Sequence, residues 1–151
     1  MVILGTGDSY YEWFLRDLER TYPGKLSVII AFNQDLSRKI YASADLFLMP
    51  SVSEPCGLAQ MIACRYGTLP IVRKTGGLAD SIKDVSQSKG IGYVFENINA
   101  WEMFETIKRA LNDYEDKEKW QANVTKAMST DFGWSASAKK YVAMYEELLN
   151  K

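Results

Sequence analysis

The sequence predicts an α/β fold: a parallel sheet followed by a helical tail. Three observations carry this. Short, nearly continuous apolar runs rich in β-branched residues recur along the chain, as in strands covered on both faces. Helical patterns lie between them, so strand and helix alternate. After the last such run only helical periodicity remains.

The strands are read at Val2–Leu4, Leu26–Ala31, Leu46–Met49, Leu69–Val72 and Tyr93–Phe95. The first helix opens in "DSYYEWFLRDLERTY", where Ser9 and Glu12 have capping-box spacing and Trp13, Phe14 and Leu18 share a face. Further helices are expected at Asp35–Ala42, Leu58–Tyr66 and Leu78–Lys83. Another runs from Ala100 to Leu111 behind an Asn99/Glu102 cap, and two more cover Asp116–Met128 and Ser135–Leu149. In the last of these, Ala138, Tyr141, Val142, Tyr145, Leu148 and Leu149 recur at helical spacing. The segment Asp84–Gly92, "DVSQSKGIG", reads as the flexible loop of the chain. No repeat, low-complexity tract or Pro/Gly/Ser-rich linker divides the sequence. Its 151 residues are therefore read as one domain, long enough to bury a core.

A net charge of −1 with 25% charged residues carries no nucleic-acid footprint. No apolar run has the length of a membrane span, and "MVILGTGD" lacks the n-region of a signal peptide, so a soluble intracellular protein is expected. The two cysteines, Cys56 and Cys64, fit neither a disulfide framework nor a metal-ligand pair and are read as free thiols. With no histidine, the chain supplies no imidazole base and no imidazole metal ligand.

In an open parallel sheet, ligands sit at the carboxyl ends of the strands. Three of those ends carry glycine-bearing loops: "GTGD" (5–8), "SEPCGL" (53–58) and "KTGGL" (74–78). Glycine turns that feed helices let backbone N–H groups approach an anion, with help from the helix dipole. Each alone is read first as a tight strand-to-helix turn, GTGD above all, with Asp8 a helix cap before anything else. Glu54 is different, because a carboxylate just beyond a buried strand loses solvation unless hydroxyls or N–H groups meet it. Sugar hydroxyls would meet it, with Pro55 fixing the turn and Gly57 admitting the ligand. The alternative is a solvated acid at a helix start. Cys56 reads as a small filler whose backbone matters more than its sulfur.

The stretch "ADLFLMPSVSEPCGLAQMIACRYGTLPIVRKTGGLADS", residues 44–81, resembles the signature region of ADP-glucose-dependent bacterial glycogen synthases and plant starch synthases. Broader retaining glycosyltransferases have EPFGL where this chain has EPCGL. "VILGTGD" and "DFGWSASAKKYVAMY" (131–145) are similar to the same family, so the resemblance covers nearly the whole chain. It implies a GT-B glycosyltransferase of two Rossmann-like domains, each with a parallel sheet, the C-terminal one holding the nucleotide sugar. The implied reaction transfers glucose from ADP-glucose to the non-reducing end of an α-1,4-glucan with retention. Carried over by motif, Glu54 would bind glucose hydroxyls, and the backbone of Cys56, Gly57 and Leu58 would hold the sugar and phosphate region. Thr75, Gly76 and Gly77 would line the same pocket. Phe32 stands where the family places an aromatic against adenine, with a core phenylalanine as the alternative. No metal or other cofactor is implied.

Two departures accompany the resemblance: Ser53 stands where the family usually has Phe, and Ile62 where broader relatives carry a second glutamate. The phosphate-stabilising Arg and Lys of the family, its first C-terminal-domain strand and its glucan-binding N-terminal domain are expected upstream of this sequence. No catalytic residue is therefore assigned within it, and the chain alone is expected to be inactive. Met1 would replace an internal residue of a longer protein or begin a naturally short one. The missing strand would leave a gap in the sheet, closed either by pairing of the Val2 and Leu46 strands or by a partner chain, including a second copy. The remaining expectations are a bacterial cytoplasmic location, with neither nucleic acid nor membrane as partner. Competing readings are a UDP-sugar-dependent retaining transferase and a non-catalytic binding or assembly module.

Overall fold

The computed structural model describes residues 1–150. By its internal contacts the chain divides into two compact units, Met1–Ala44 and Asp45–Lys151.

The first unit runs β1 (Val2–Gly5), α1 (Ser9–Thr21), β2 (Ser27–Ile30) and α2 (Gln34–Ser43). β1 and β2 pair in parallel, from Val2 opposite Ser27 to Gly5 opposite Ile30. β2 is shorter than its apolar run because the Leu26 N–H turns back to the Tyr22 carbonyl and the Ala31 N–H to that of Ile29. The cap of α1 is Asp8 rather than Ser9: its carboxylate accepts the Tyr10 N–H at 2.8 Å, placing negative charge at the positive helix end. Glu12 still reaches back, to the Gly7 N–H at 2.9 Å. Asn33 caps α2 by accepting the Leu36 N–H.

The second unit runs β3 (Leu46–Met49), α3 (Ala59–Tyr66), β4 (Leu69–Arg73), α4 (Gly76–Ser81), β5 (Tyr93–Phe95), α5 (Ala100–Glu115), α6 (Lys117–Ser129) and α7 (Trp134–Leu149). Its sheet is parallel in the order β3-β4-β5. Among these strands, continuous burial holds for β4, whose Leu69, Ile71 and Val72 are shut from water; β3 at the edge is half-buried. Around β4 the core gathers Leu78 and Ile82, Tyr93 and Phe95 of β5, Cys64 of α3, Ala110 of α5, and Trp120 and Ala127 of α6. Tyr114 meets Trp120 edge-on at 5.0 Å, which extends α5 beyond the expected Leu111. Asn99 caps α5, accepting from the Trp101 and Glu102 N–H groups. Glu102 reaches back to the N–H groups of Glu96 and Asn97, which hold its carboxyl below the usual range.

Two expectations are corrected here. β1 pairs with β2 and β3 with β4, so of the two closures expected for the sheet, pairing of the Val2 and Leu46 strands is not formed. The 84–92 segment, expected to be flexible, is tied down. Asp84 bridges to Gly92, accepts from Ser86 and the Val94 N–H, and forms a two-pronged pair with Arg109 at 2.9 and 2.6 Å. Burial opposes ionisation of Asp84, but Arg109 and the other donors outweigh it and hold the carboxyl far below the usual range. In α7 no residue is buried, and the Tyr141, Val142, Tyr145, Leu148 stripe is exposed. Among the described residues no helix is long and apolar enough to cross a membrane.

Candidate functional site

β3 and β4 are neighbouring parallel strands, so the loops leaving their carboxyl ends lie side by side. These are the 50–58 loop, which leads into α3, and the 74–75 turn, which leads into α4. Arg73, the last residue of β4, holds the first loop: Nε donates to the Ser51 carbonyl at 2.8 Å and Nη2 to that of Val52. The Gly77 N–H then donates to the Glu54 carbonyl at 2.9 Å, joining the two loops directly. This contact needs glycine. A Cβ at Gly77 would stand 2.1 Å from the Cys56 carbonyl oxygen, and one at Gly76 would stand 2.2 Å from that of Glu54.

The joined loops expose a specific set of groups. The Glu54 carboxylate is half-buried and has no hydrogen-bond or ion-pair partner among the described residues. The N–H groups of Gly57, Leu58 and Gly76 likewise meet no acceptor there. Thr75 precedes α4 without spending its side chain on a cap bond. An ionised carboxylate accepts hydrogen bonds from hydroxyls, while open N–H groups at the start of α3 receive an anion. A ligand that is polyhydroxylated at one end and anionic at the other matches both.

The remaining candidates divide. Gly57 adopts φ +74°, a left-handed conformation that L side chains rarely take. A Cβ there would meet the buried side-chain amide of Gln60 at 2.6 Å, so local geometry already demands glycine. Cys56 is exposed, which overturns its reading as a filler, whereas its carbonyl accepts from Gln60. Cys64 is the buried thiol, pushed up to about 12 by burial and so unreactive as a nucleophile. Leu58 is exposed beside the open N–H groups. Phe32 belongs to the first unit, just after β2, and is 93% exposed, which rules out the core alternative for it. "GTGD" serves its turn: Asp8 caps α1 and the Gly7 N–H is taken by Glu12.

Sequence reading missed Arg73, Gln60 and Ser81, which build the loops rather than face outward from them. The one available signal was a charge or amide interrupting an apolar face, as Arg73 does after "LPIV". Lys74, in the glycine loop, is paired with Glu96 at 2.6 Å. Among the described residues no group of three or more His, Cys, Asp or Glu side chains could hold a metal ion.

Comparison with known proteins bears on the family and the fold. A family model described as "Glycosyl transferases group 1" matches residues 1–127. The chain is 50% identical to a glycogen synthase of Anoxybacillus flavithermus over 99% of its own length and 31% of that protein's. To a glycogen synthase of Caldicellulosiruptor bescii it is 49% identical, over 99% of its length and 32% of the relative's. It superposes on the catalytic domain of starch synthase IV from Arabidopsis thaliana, solved with ADP and acarbose bound. The TM-score is 0.86 at 36% identity, covering 99% of this chain and 32% of that one. The chain thus spans about a third of the length of the curated relatives it matches. With the α/β GT-B architecture and a family match running from β1 into α6, the chain belongs to the group 1 glycosyl transferases.

Proposed function

We propose that this chain is the donor-binding part of an ADP-glucose-dependent glycogen or starch synthase. That enzyme would transfer glucose, with retention, to the non-reducing end of an α-1,4-glucan. The observation that carries the reading is the unpaired, half-buried Glu54 carboxylate, set beside the open N–H groups of Gly57, Leu58 and Gly76 on neighbouring strand ends. Glu54 accepts hydrogen bonds from glucose hydroxyls and so fixes the sugar. The N–H groups and the start of α3 receive the diphosphate as its charge grows on leaving. Thr75 and Gly77 complete the wall of the pocket. In the first unit, taken by itself, Phe32 presents an exposed ring, the stacking face that the family resemblance assigns to adenine.

The cations that neutralise the leaving diphosphate and the groove that holds the glucan lie, on this reading, elsewhere in a longer protein. Relatives three times the length of this chain support that division. The chain alone then binds donor without elongating glucan, the longer protein works in a bacterial cytoplasm, and the β1 and β3 edges are where a partner strand or second copy would join.

The test is an amide-resolved NMR titration of the chain with ADP, UDP and ADP-glucose. ADP is expected to shift Gly57, Leu58 and Gly76 selectively over UDP. Glu54→Ala should leave ADP affinity within about twofold while weakening ADP-glucose by about 10-fold, the loss of charge-assisted hydrogen bonds worth about 1.5 kcal/mol. Preference for UDP would instead point to a UDP-sugar donor. Equal ADP-glucose affinity in Glu54→Ala would remove the carboxylate from the site and favour a binding module.

A further inference from the structure

Gln60, the second residue of α3, is fully buried, and its amide reaches the first loop directly and the second through Ser81. Nε2 donates to the Gly57 carbonyl at 2.8 Å, to that of Cys56 at 3.2 Å and to Ser81 Oγ at 3.1 Å. Ser81 Oγ in turn donates to the Gly77 carbonyl at 2.6 Å. With the Gly77 N–H on the Glu54 carbonyl, this closes a ring through both loops. Gln60 Oε1, at the other end of the amide, is buried and unpartnered, filling the space a Gly57 side chain would need. A buried acceptor without a donor costs stability, so the amide is poorly explained by stability alone.

The consequence follows from peptide geometry. All peptide bonds among the described residues are trans, and in a trans unit the C=O and the next N–H point in opposite directions. By drawing the Cys56 and Gly57 carbonyls inward, Gln60 turns the N–H groups of Gly57 and Leu58 outward. These are two of the open donors of the site.

We propose that Gln60 and Ser81 are positioning residues that lock the two strand-end loops into one body and aim the Gly57 and Leu58 N–H groups at a bound diphosphate. The diphosphate part rests on the donor reading above; the loop lock does not. Preorganised donors of this kind bind an anion without reordering at the moment it arrives.

Three variants test it in the 15N-labelled chain: Gln60→Met, which keeps length but loses both donors; Ser81→Ala; and Ser81→Thr, which keeps the hydroxyl. Two readouts are made: hydrogen exchange of the Gly77 amide without ligand, and ADP affinity by titration. The Gly67 amide, bonded to Cys64 at the far end of α3, is the internal control. Gln60→Met should speed Gly77 exchange and weaken ADP binding by at least tenfold each, with Gly67 within twofold. Ser81→Ala should move both severalfold and Ser81→Thr should restore them.

Gly77 exchange and ADP affinity within twofold of wild type in Gln60→Met would overturn the proposal. So would losses that always track an equal loss at Gly67, the sign of plain unfolding. If Gln60→Met does not fold, equal behaviour of Ser81→Ala and Ser81→Thr overturns it instead. If the wild-type chain binds neither ADP nor UDP, it is the donor reading that fails, and the loop lock stands or falls on Gly77 exchange.

Discussion

The two compact units are built from the same alternation of short apolar strands and amphipathic helices, yet they bury very different amounts. In Met1–Ala44 no residue is fully buried, and Tyr10, Tyr11 and Trp13 on α1 are all more than half exposed. In Asp45–Lys151, β4 is wrapped on both sides and a dozen residues form one core. The difference lies in neighbours rather than strand propensity. β4 has a strand on each side and α3, α5 and α6 against it, while β1 and β2 pair with each other and have α1 against β2. Two strands with one pairing make a marginal sheet, whereas three strands with helix cover sustain a core.

The comparison is broken most directly by one equivalent truncation in each unit. Ile71→Ala removes a side chain that is 2% exposed at the centre of β4 and should cost about 2–5 kcal/mol. Ile3→Ala, in half-buried β1, should cost only about 1 kcal/mol. Urea titrations followed by 1H–15N spectra read each unit from its own amides; equal losses would mean that burial does not distinguish the two.

The next effect concerns pH. Asp84 holds the 84–92 segment to α5 through Arg109, and its carboxyl titrates far below the unfolded range near ~4. A depressed carboxyl contributes stability that is fully present above that range and is lost as pH falls through the folded value. Stability of the second unit should therefore decline on acidification below about pH 4. Asp84→Asn should flatten that decline and cost about 1.5–3 kcal/mol at pH 7, the worth of hydrogen bonds to a charged group. An acid limb of unchanged steepness in Asp84→Asn would assign the decline to other carboxylates.

The fold was legible where it rests on periodicity. The runs at Leu46–Met49 and Tyr93–Phe95 are the strands found, and the α3 and α6 boundaries shift by a residue. What escaped depends on partners distant in sequence. "DVSQSKGIG" has the composition of a loose loop, and nothing local reveals that Arg109 will grip Asp84 from α5. Phe32 reads equally as core or surface until the chain around β2 is placed, and Cys56 gives no hint of its exposure. The outward-facing half of the candidate site, Glu54 with Gly57 and Gly76, stands out in the sequence because a carboxylate and glycines are conspicuous in an apolar run. Gln60 and Ser81 were not, because an amide in a helix announces nothing until the carbonyls it draws inward are seen.

The smallest effect sharpens the comparison at two helix starts of similar chemistry. Asp8 spends its carboxylate on one N–H of α1, whereas Asn99 serves two in α5, and Glu102 adds two backbone bonds behind it. Losing such a cap typically costs about 0.5–2 kcal/mol. Asn99→Ala should fall toward the upper end, since it frees two donors and unfastens the turn that Glu102 braces against β5. Asp8→Ala should fall toward the lower end, since Glu12 still satisfies the Gly7 N–H. Amide exchange in the first turns of α1 and α5 measures both. If Asp8→Ala proves the costlier, charge at the helix dipole outweighs the number of donors capped, and the first unit depends on its caps more than its small burial suggests.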